Sequence, residues 1–205
     1  MPLPFRVIPQ PREVRPLPGP GIAFGDLGRV HLGKGVRRPA MGPILALLPL
    51  AGGGAKGVLR LALSEAASLP DTAEGYRLRI ANGNVRIAAR GAAGLFYGCQ
   101  TLEQLLEDAR DTGVSVPACE IVDYPALATR AVHIDVKHHL DTMEYYYDAV
   151  DRLARYKINA IIFEFEDKLR YRRRPLVGGP LAILIEEMAA LTRYARERHI
   201  DISPL

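Results

Sequence analysis

The segment from Arg130 to Asp167 constrains the fold more than any other part of the chain. Within Arg130-Ala-Val-His-Ile-Asp-Val-Lys-His-His139, the run Val132 to Val136 reads as a buried strand. Met143, Tyr147, Val150 and Leu153/Ala154 then recur at helical spacing, with Glu144, Asp148, Asp151 and Arg155 on the other side. Ala160-Ile161-Ile162-Phe163 follows as a second strand, apolar on both faces as a parallel sheet requires. Its end suddenly carries three acids, Glu164, Glu166 and Asp167. Beyond a loop over 168–180, Leu184, Met188, Leu191 and Ala195 mark another helix, and Ile200 to Ile202 opens a third strand. Strands alternating with helices imply a parallel sheet. Acids placed where such a strand runs out into a loop are what the working face of a (β/α)8 barrel presents.

Upstream of the turn Asp123-Tyr124-Pro125 the pattern is different. Leu59, Leu61 and Leu63 share one face of a strand, as do Tyr76, Leu78 and Ile80, and then Val85, Ile87 and Ala89. Asn82-Gly83 between the last two is a hairpin signal, because both central residues of a type I′ turn need positive φ. A one-sided antiparallel sheet is expected, covered by a helix over Ala92 to Ala109 whose Leu95, Cys99, Leu102 and Leu106 form the apolar stripe. Gly94 and Gly98, one turn apart, allow that helix a close approach. In the Pro- and Gly-rich first forty residues, Val7-Ile8-Pro9 and Ile22-Ala23-Phe24 are candidate edge strands. Gly42 to Leu50 reads as a short buried helix before the break Gly52-Gly53-Gly54. The expected fold is thus an α+β domain, residues 1–122, with an antiparallel sheet covered by helices. Residues 128–205 then supply the first βα units of a TIM barrel. A whole barrel takes about 250 residues, so the barrel is expected to be truncated.

Composition narrows the function classes. The chain has 205 residues, 48% hydrophobic and 24% charged, an ordinary globular balance. Its net charge of +4 is spread along the sequence, so no nucleic-acid partner is expected. The basic run Arg170-Tyr-Arg-Arg-Arg174 reads as a solvated or partner-facing loop. Cys99 and Cys119 have no metal or redox spacing, and free buried thiols in a reducing compartment are the expectation. Met1-Pro-Leu-Pro-Phe-Arg lacks the regions of a signal peptide, which favours the cytoplasm. Ile44 to Ala51 is too short to span a bilayer, so no membrane partner is expected. Oligomeric state does not follow from these features.

The candidate site residues cluster at the two strand ends. Glu164, Glu166 and Asp167 are expected to hydrogen-bond a substrate or to form ion pairs with Lys137 or the Arg172–Arg174 run. Asp135 is a ligand or a structural partner of Lys137, and Lys137 and His138 are rim candidates. His133, His138 and His139 suggest a metal, but His138 and His139 face opposite ways on an extended strand and there is no His-Glu-Xaa-Xaa-His. No metal is expected. No Gly-rich loop follows a strand with phosphate-site spacing, so no cofactor is expected either.

These segments resemble the family 20 glycoside hydrolases, the β-N-acetylhexosaminidases. The resemblance runs through the helix Gly91-Ala-Ala-Gly-Leu-Phe-Tyr-Gly-Cys-Gln-Thr-Leu-Glu-Gln-Leu-Leu106 and Ile121-Val-Asp-Tyr-Pro125. It continues through Arg130, Ile134-Asp135-Val136, Tyr156-Lys157-Ile158-Asn159 and Ile200. It implies a zincin-like N-terminal domain, a barrel, and an N-acetylhexosamine-containing glycan or glycoside as partner. It also implies substrate-assisted retaining hydrolysis, in which the 2-acetamido oxygen attacks the anomeric carbon and the enzyme supplies an acid, an exception to the two-carboxylate scheme. Where better-known members carry Asp-Val-Ser-Arg-His, this chain has Asp135-Val-Lys137-His138-His139. With Glu164-Phe-Glu166-Asp167, that is closer to the hexosaminidase D-like branch. The family's catalytic Asp-Glu pair follows the fourth barrel strand, and no Asp-Glu occurs in this chain. Catalytic residues are therefore expected to be absent from it, leaving either the accessory part of an enzyme or a non-catalytic carbohydrate-binding or interaction fragment.

Overall fold

The computed structural model describes residues 5–48, 50 and 55–205. The break at Gly52-Gly53-Gly54 and the first four residues of the N-terminal segment lie outside the described residues. The chain divides into two compact units, Met1–Ala126 and Leu127–Leu205.

The first unit runs β1 (Glu13–Pro16), β2 (Leu27–Leu32), α1 (Arg38–Leu47), β3 (Gly57–Leu63), β4 (Tyr76–Ala81), β5 (Asn84–Ala89), α2 (Ala92–Thr112) and β6 (Cys119–Asp123). Its six strands lie in the order β1-β6-β4-β5-β3-β2. The sheet is mixed, which corrects the antiparallel expectation. β4 pairs antiparallel with β5 and β6, but β3 runs parallel to both β5 and β2. The cause is connectivity: α1 links β2 to β3 as a crossover, and the segment after β3 carries the chain past the position β5 will fill.

The hairpin forms at Asn82 (φ 51°) and Gly83 (φ 71°), as the turn chemistry requires. Leu59, Leu61, Leu78, Ile80, Val85 and Ile87 are buried against α2, whose Leu95, Cys99, Leu102 and Leu106 are buried in return. A Cβ on Gly94 would sit 2.3 Å from the Gly75 carbonyl oxygen, and one on Gly98 would sit 2.6 Å from Ile87 Cγ2. Tyr76, fully buried, ties the layers together through Thr101 (2.6 Å) and Asp123 (3.0 Å).

Neither candidate edge strand forms. At Val7–Pro9 the Gln104 amide takes the place of a strand partner, accepting from Ile8 N–H at 2.8 Å and donating to Ile8 C=O at 2.9 Å. Ile22 makes only an isolated bridge to Val116.

The second unit runs β7 (Ala131–Asp135), α3 (Met143–Arg155), β8 (Ala160–Glu164), β9 (Leu169–Arg170), β10 (Ile183–Leu184), α4 (Ile185–Arg196) and β11 (Asp201–Pro204). β7, β8 and β11 form a parallel sheet in the order β11-β8-β7. On α3 the buried residues are Tyr146, Val150 and Ala154. Tyr146, not Tyr147, packs edge-on to Phe163 at 5.2 Å, while Tyr147 is half-buried against Tyr194. Leu184 lies in β10, ahead of α4, and the 168–180 loop contains β9, which pairs with β10.

Phe163 and Ile161 turn toward the helices and are buried. The alternate residues, Ala131, His133 and Asp135 beside Ala160, Ile162 and Glu164, share the other face in register. His133, Asp135 and Ile162 on that face are exposed.

Arg130 and Asn159 fix the start of β7. The guanidinium donates to the carbonyls of Lys157 (2.7 Å) and Leu127 (2.8 Å). The Asn159 amide accepts from Arg130 N–H at 2.8 Å and donates to the Ala128 carbonyl at 2.7 Å.

Candidate functional site

The C-terminal ends of the neighbouring parallel strands β7 and β8 bring four of the six candidates together. Asp135 and Glu164 are register partners. Two residues on, Lys137 Nζ meets Glu166 Oε1 at 2.6 Å. Glu166 has φ 46°, so the backbone leaves its extended path there and strict alternation no longer relates Glu166 to Glu164. The Asp135 carboxylate accepts from the Lys137 backbone N–H at 2.8 Å, which holds the turn after β7. The Lys137 ammonium is pushed above its ordinary pKa, first by the hydrogen bond and charge of Glu166 and then by the charges of Glu164 and Asp135. All three carboxylates therefore act on one cation.

Asp167 and His138 lie outside this cluster. Asp167 pairs with Lys168, whose hydrogen bond holds the carboxyl below the ordinary range. Its carbonyl accepts from Gly179 N–H at 2.8 Å, so this residue anchors the long loop. His138 is exposed and joins no hydrogen bond or ion pair among the described residues. Of the ion pairs foreseen for the acids, Lys137–Glu166 forms, while Arg172 pairs instead with Glu186.

His133 belongs to the group although sequence reasoning considered it only as a metal ligand. Its Nε2 lies 2.9 Å from Glu164 Oε2. The available signal was its position two residues before Asp135, on the same face of β7. A groove of about 440 Å³ runs along β7, lined by His133, Asp135, His139, Asp141, Tyr145 and Tyr146 among others.

Chemically, the cluster offers carboxylate acceptors and one ammonium donor at a strand end. A proton donor needs a raised carboxyl pKa near the working pH. Asp167, the acid adjoining Glu166, is shifted the other way. No group of three or more His, Cys, Asp or Glu side chains is placed to hold a metal among the described residues. Cys99 and Cys119 are free and buried. No helix among the described residues is long and apolar enough to cross a membrane.

Residues 5–124 match the family description glycosyl hydrolase family 20, domain 2. A beta-N-acetylhexosaminidase from Cellulomonas fimi is 38% identical over 120 residues, covering 58% of this chain and 24% of that protein. A beta-hexosaminidase from Porphyromonas gingivalis is 34% identical over 160 residues, covering 67% of this chain and 21% of that protein. Among solved structures, the GH20 beta-N-acetylhexosaminidase from Streptomyces coelicolor superposes with a TM-score of 0.77 at 29% identity, over 97% of this chain and 45% of that one. The Streptomyces plicatus N-acetyl-beta-hexosaminidase in complex with thio-NAglucal gives 0.76 at 30% identity, with the same coverage. The chain thus spans less than half the length of each of these relatives.

Proposed function

The chain belongs to glycosyl hydrolase family 20, and from that premise we propose that it forms part of a β-N-acetylhexosaminidase. The enzyme would release terminal N-acetylhexosamine from a glycan or glycoside by substrate-assisted, retaining hydrolysis. The observation that carries this reading is the Asp135–Lys137–Glu164–Glu166 cluster at the C-terminal ends of two parallel strands. In a barrel enzyme that is the substrate-facing end.

In this reading Leu127–Leu205 is the opening of a (β/α)8 barrel, with 1–122 as the α+β domain ahead of it. Asp135, Lys137, Glu164 and Glu166 hold sugar hydroxyls, with Asp167 and His138 at the rim. The order Asp135-Val-Lys137 and Glu164-Phe-Glu166-Asp167 favours the hexosaminidase D-like branch. The substrate's acetamido oxygen is the nucleophile, so the protein supplies two things: a carboxylic acid to protonate the leaving oxygen, and an Asp to orient the acetamido group. Because no Asp is followed directly by Glu within residues 1–205, this reading assigns those two groups to another part of the protein. The second reading, a non-catalytic carbohydrate-binding fragment, is favoured by the pairing of Glu164, Glu166 and Asp167 with His133, Lys137 and Lys168.

The test compares the complete product of the gene with purified residues 1–205, on an aryl N-acetyl-β-glucosaminide and on the matching aryl β-glucoside. The complete product is expected to cleave only the acetamido substrate, and residues 1–205 neither. Comparable turnover of the plain glucoside would end the substrate-assisted reading. Turnover by pure 1–205 would move the acid into the residues given accessory roles here. Inactivity of the complete product on both substrates would favour the non-catalytic reading.

A further inference from the structure

The solvent face of the six-stranded sheet in the first unit carries a row of side chains in direct cross-strand register. From β1 to β2 it reads Arg15, Glu120, Arg79, Arg86, Arg60 and His31. Three arginines on neighbouring strands stand directly opposite one another, and like charges so placed destabilise a sheet. Strands are about 4.8 Å apart, so the repulsion is between first neighbours.

The only acid within the row is Glu120, and it is already shared by Arg77 (3.5 Å) and Arg79 (4.0 Å). Neither Arg86 nor Arg60 has an acidic partner among the described residues, and both are exposed. With Arg29 and Arg77 in flanking rows, the face holds six arginines against Glu13 and Glu120. That local excess equals the +4 net charge of the whole chain. A shallow cleft of about 250 Å³ opens beside the row, lined by Ser64, Ser68, Arg77, Arg79, Arg86 and Glu120.

We propose that this face of the sheet binds a linear anionic polysaccharide, carboxylated or sulfated, through the Arg79–Arg86–Arg60 row. Guanidinium forks suit planar carboxylates and tetrahedral oxyanions, and a row of them spaced by the strand repeat fits a chain with recurring charges. A bound polyanion also removes the mutual repulsion that the row otherwise carries. Single-stranded nucleic acid fits less well, because such sites interleave basic side chains with aromatic platforms for the bases. Apart from His31 at the end of the row, the uncharged solvent-side positions here are small or aliphatic (Val58, Ala62, Ala81, Ala88) with Asn84, and none carries a Phe, Tyr or Trp ring. A neutral glycan would find no stacking ring either. The inference stands apart from the glycosidase reading, since it concerns a different unit and involves no hydrolysis.

The test measures binding of fluorescein-labelled heparin to the 205-residue chain by anisotropy, at fixed moderate salt. The double variant Arg60→Gln/Arg86→Gln is compared with Arg173→Gln/Arg174→Gln, which removes the same charge from exposed positions of the other unit. The sheet variant is expected to bind about tenfold or more weakly, having lost two charge-assisted contacts. The control should stay within about twofold, the scale of exposed, screened charges. Because the sheet variant relieves like-charge pairs, its melting temperature is expected to be no lower than that of the parent, so a weaker signal cannot come from misfolding. Equal losses in the two variants would reduce the effect to net charge and overturn the proposal. So would absence of heparin binding by the parent, or tighter binding of labelled oligothymidylate at the same salt.

Discussion

Cys99 illustrates what burial alone does to a titrating residue. Burial alone pushes its thiol far above the ordinary thiol range. Desolvation likewise carries Cys119 up to about 11. Both are neutral in the native state across the whole neutral range. Above about pH 9 the unfolded chain gives up protons that the native chain retains. The stability these groups contribute is therefore fully present below the unfolded pKa and is lost as pH rises beyond it, at about 1.4 kcal/mol per pH unit per group. Lys137 acts in the same direction from a different cause: its pairing with Glu166 is lost as pH climbs through its raised pKa, although that pair is partly exposed and screened. The melting temperature should accordingly stay level through neutrality and fall above pH 9. Cys99→Ala should lower stability at every pH but flatten that alkaline decline by one proton's worth. A decline of equal slope in the variant would show that Cys99 titrates normally in the folded chain.

At the scale of elements, the contact between α2 and the sheet decides the architecture of the first unit. Alanine is favoured over glycine in a helix by about 1 kcal/mol, so Gly94→Ala would stabilise a helix standing clear of its neighbours. Here the added Cβ would meet the Gly75 carbonyl, on the residue that leads into β4, at 2.3 Å and Ala89 Cβ, in β5, at 2.8 Å. Overpacking of that kind costs about 1–3 kcal/mol, and chemical denaturation of Gly94→Ala should show a net loss. A gain would mean that the helix stands off from the sheet. This helix and the Asn82-Gly83 hairpin were legible in the sequence because periodicity and turn chemistry are local. Strand order was not: alternation tells which face a residue occupies, but not which strand lies beside it, so the parallel β3–β5 pairing escaped. β1 and β6 were missed because each is only four or five residues long. The inward phase of α3, Tyr146 rather than Tyr147, depended on the Phe163 ring it meets. The site followed the same rule. The acids at the end of β8 and the Lys137 pairing were visible as residue types at strand ends. The His133–Glu164 contact required the register between two strands.

For the molecule as a whole, the two units differ in how completely each covers its own sheet. In Met1–Ala126 the apolar face of the mixed sheet lies under α2, and the opposite face is charged and solvated. In Leu127–Leu205 the sheet is parallel, and parallel sheets are covered on both faces in stable folds. Its helices bury only the side holding Ile161 and Phe163. The side with Ala131, His133, Asp135 and Ile162 has no helix of this unit over it, and among the described residues β7 and β11 end the sheet with unpaired edges. Open edges of this kind template pairing with other chains. The two units made separately should therefore behave differently. The 1–126 piece should be a monomer by light scattering, with a cooperative melt and little binding of a hydrophobic dye. The 127–205 piece should bind the dye strongly and self-associate in proportion to concentration. A monomeric, dye-silent 127–205 piece with a sharp melt would show that three parallel strands and two helices suffice by themselves. The reading of this unit as the opening of a barrel would then lose its physical support, because nothing would be left uncovered for further strands to complete.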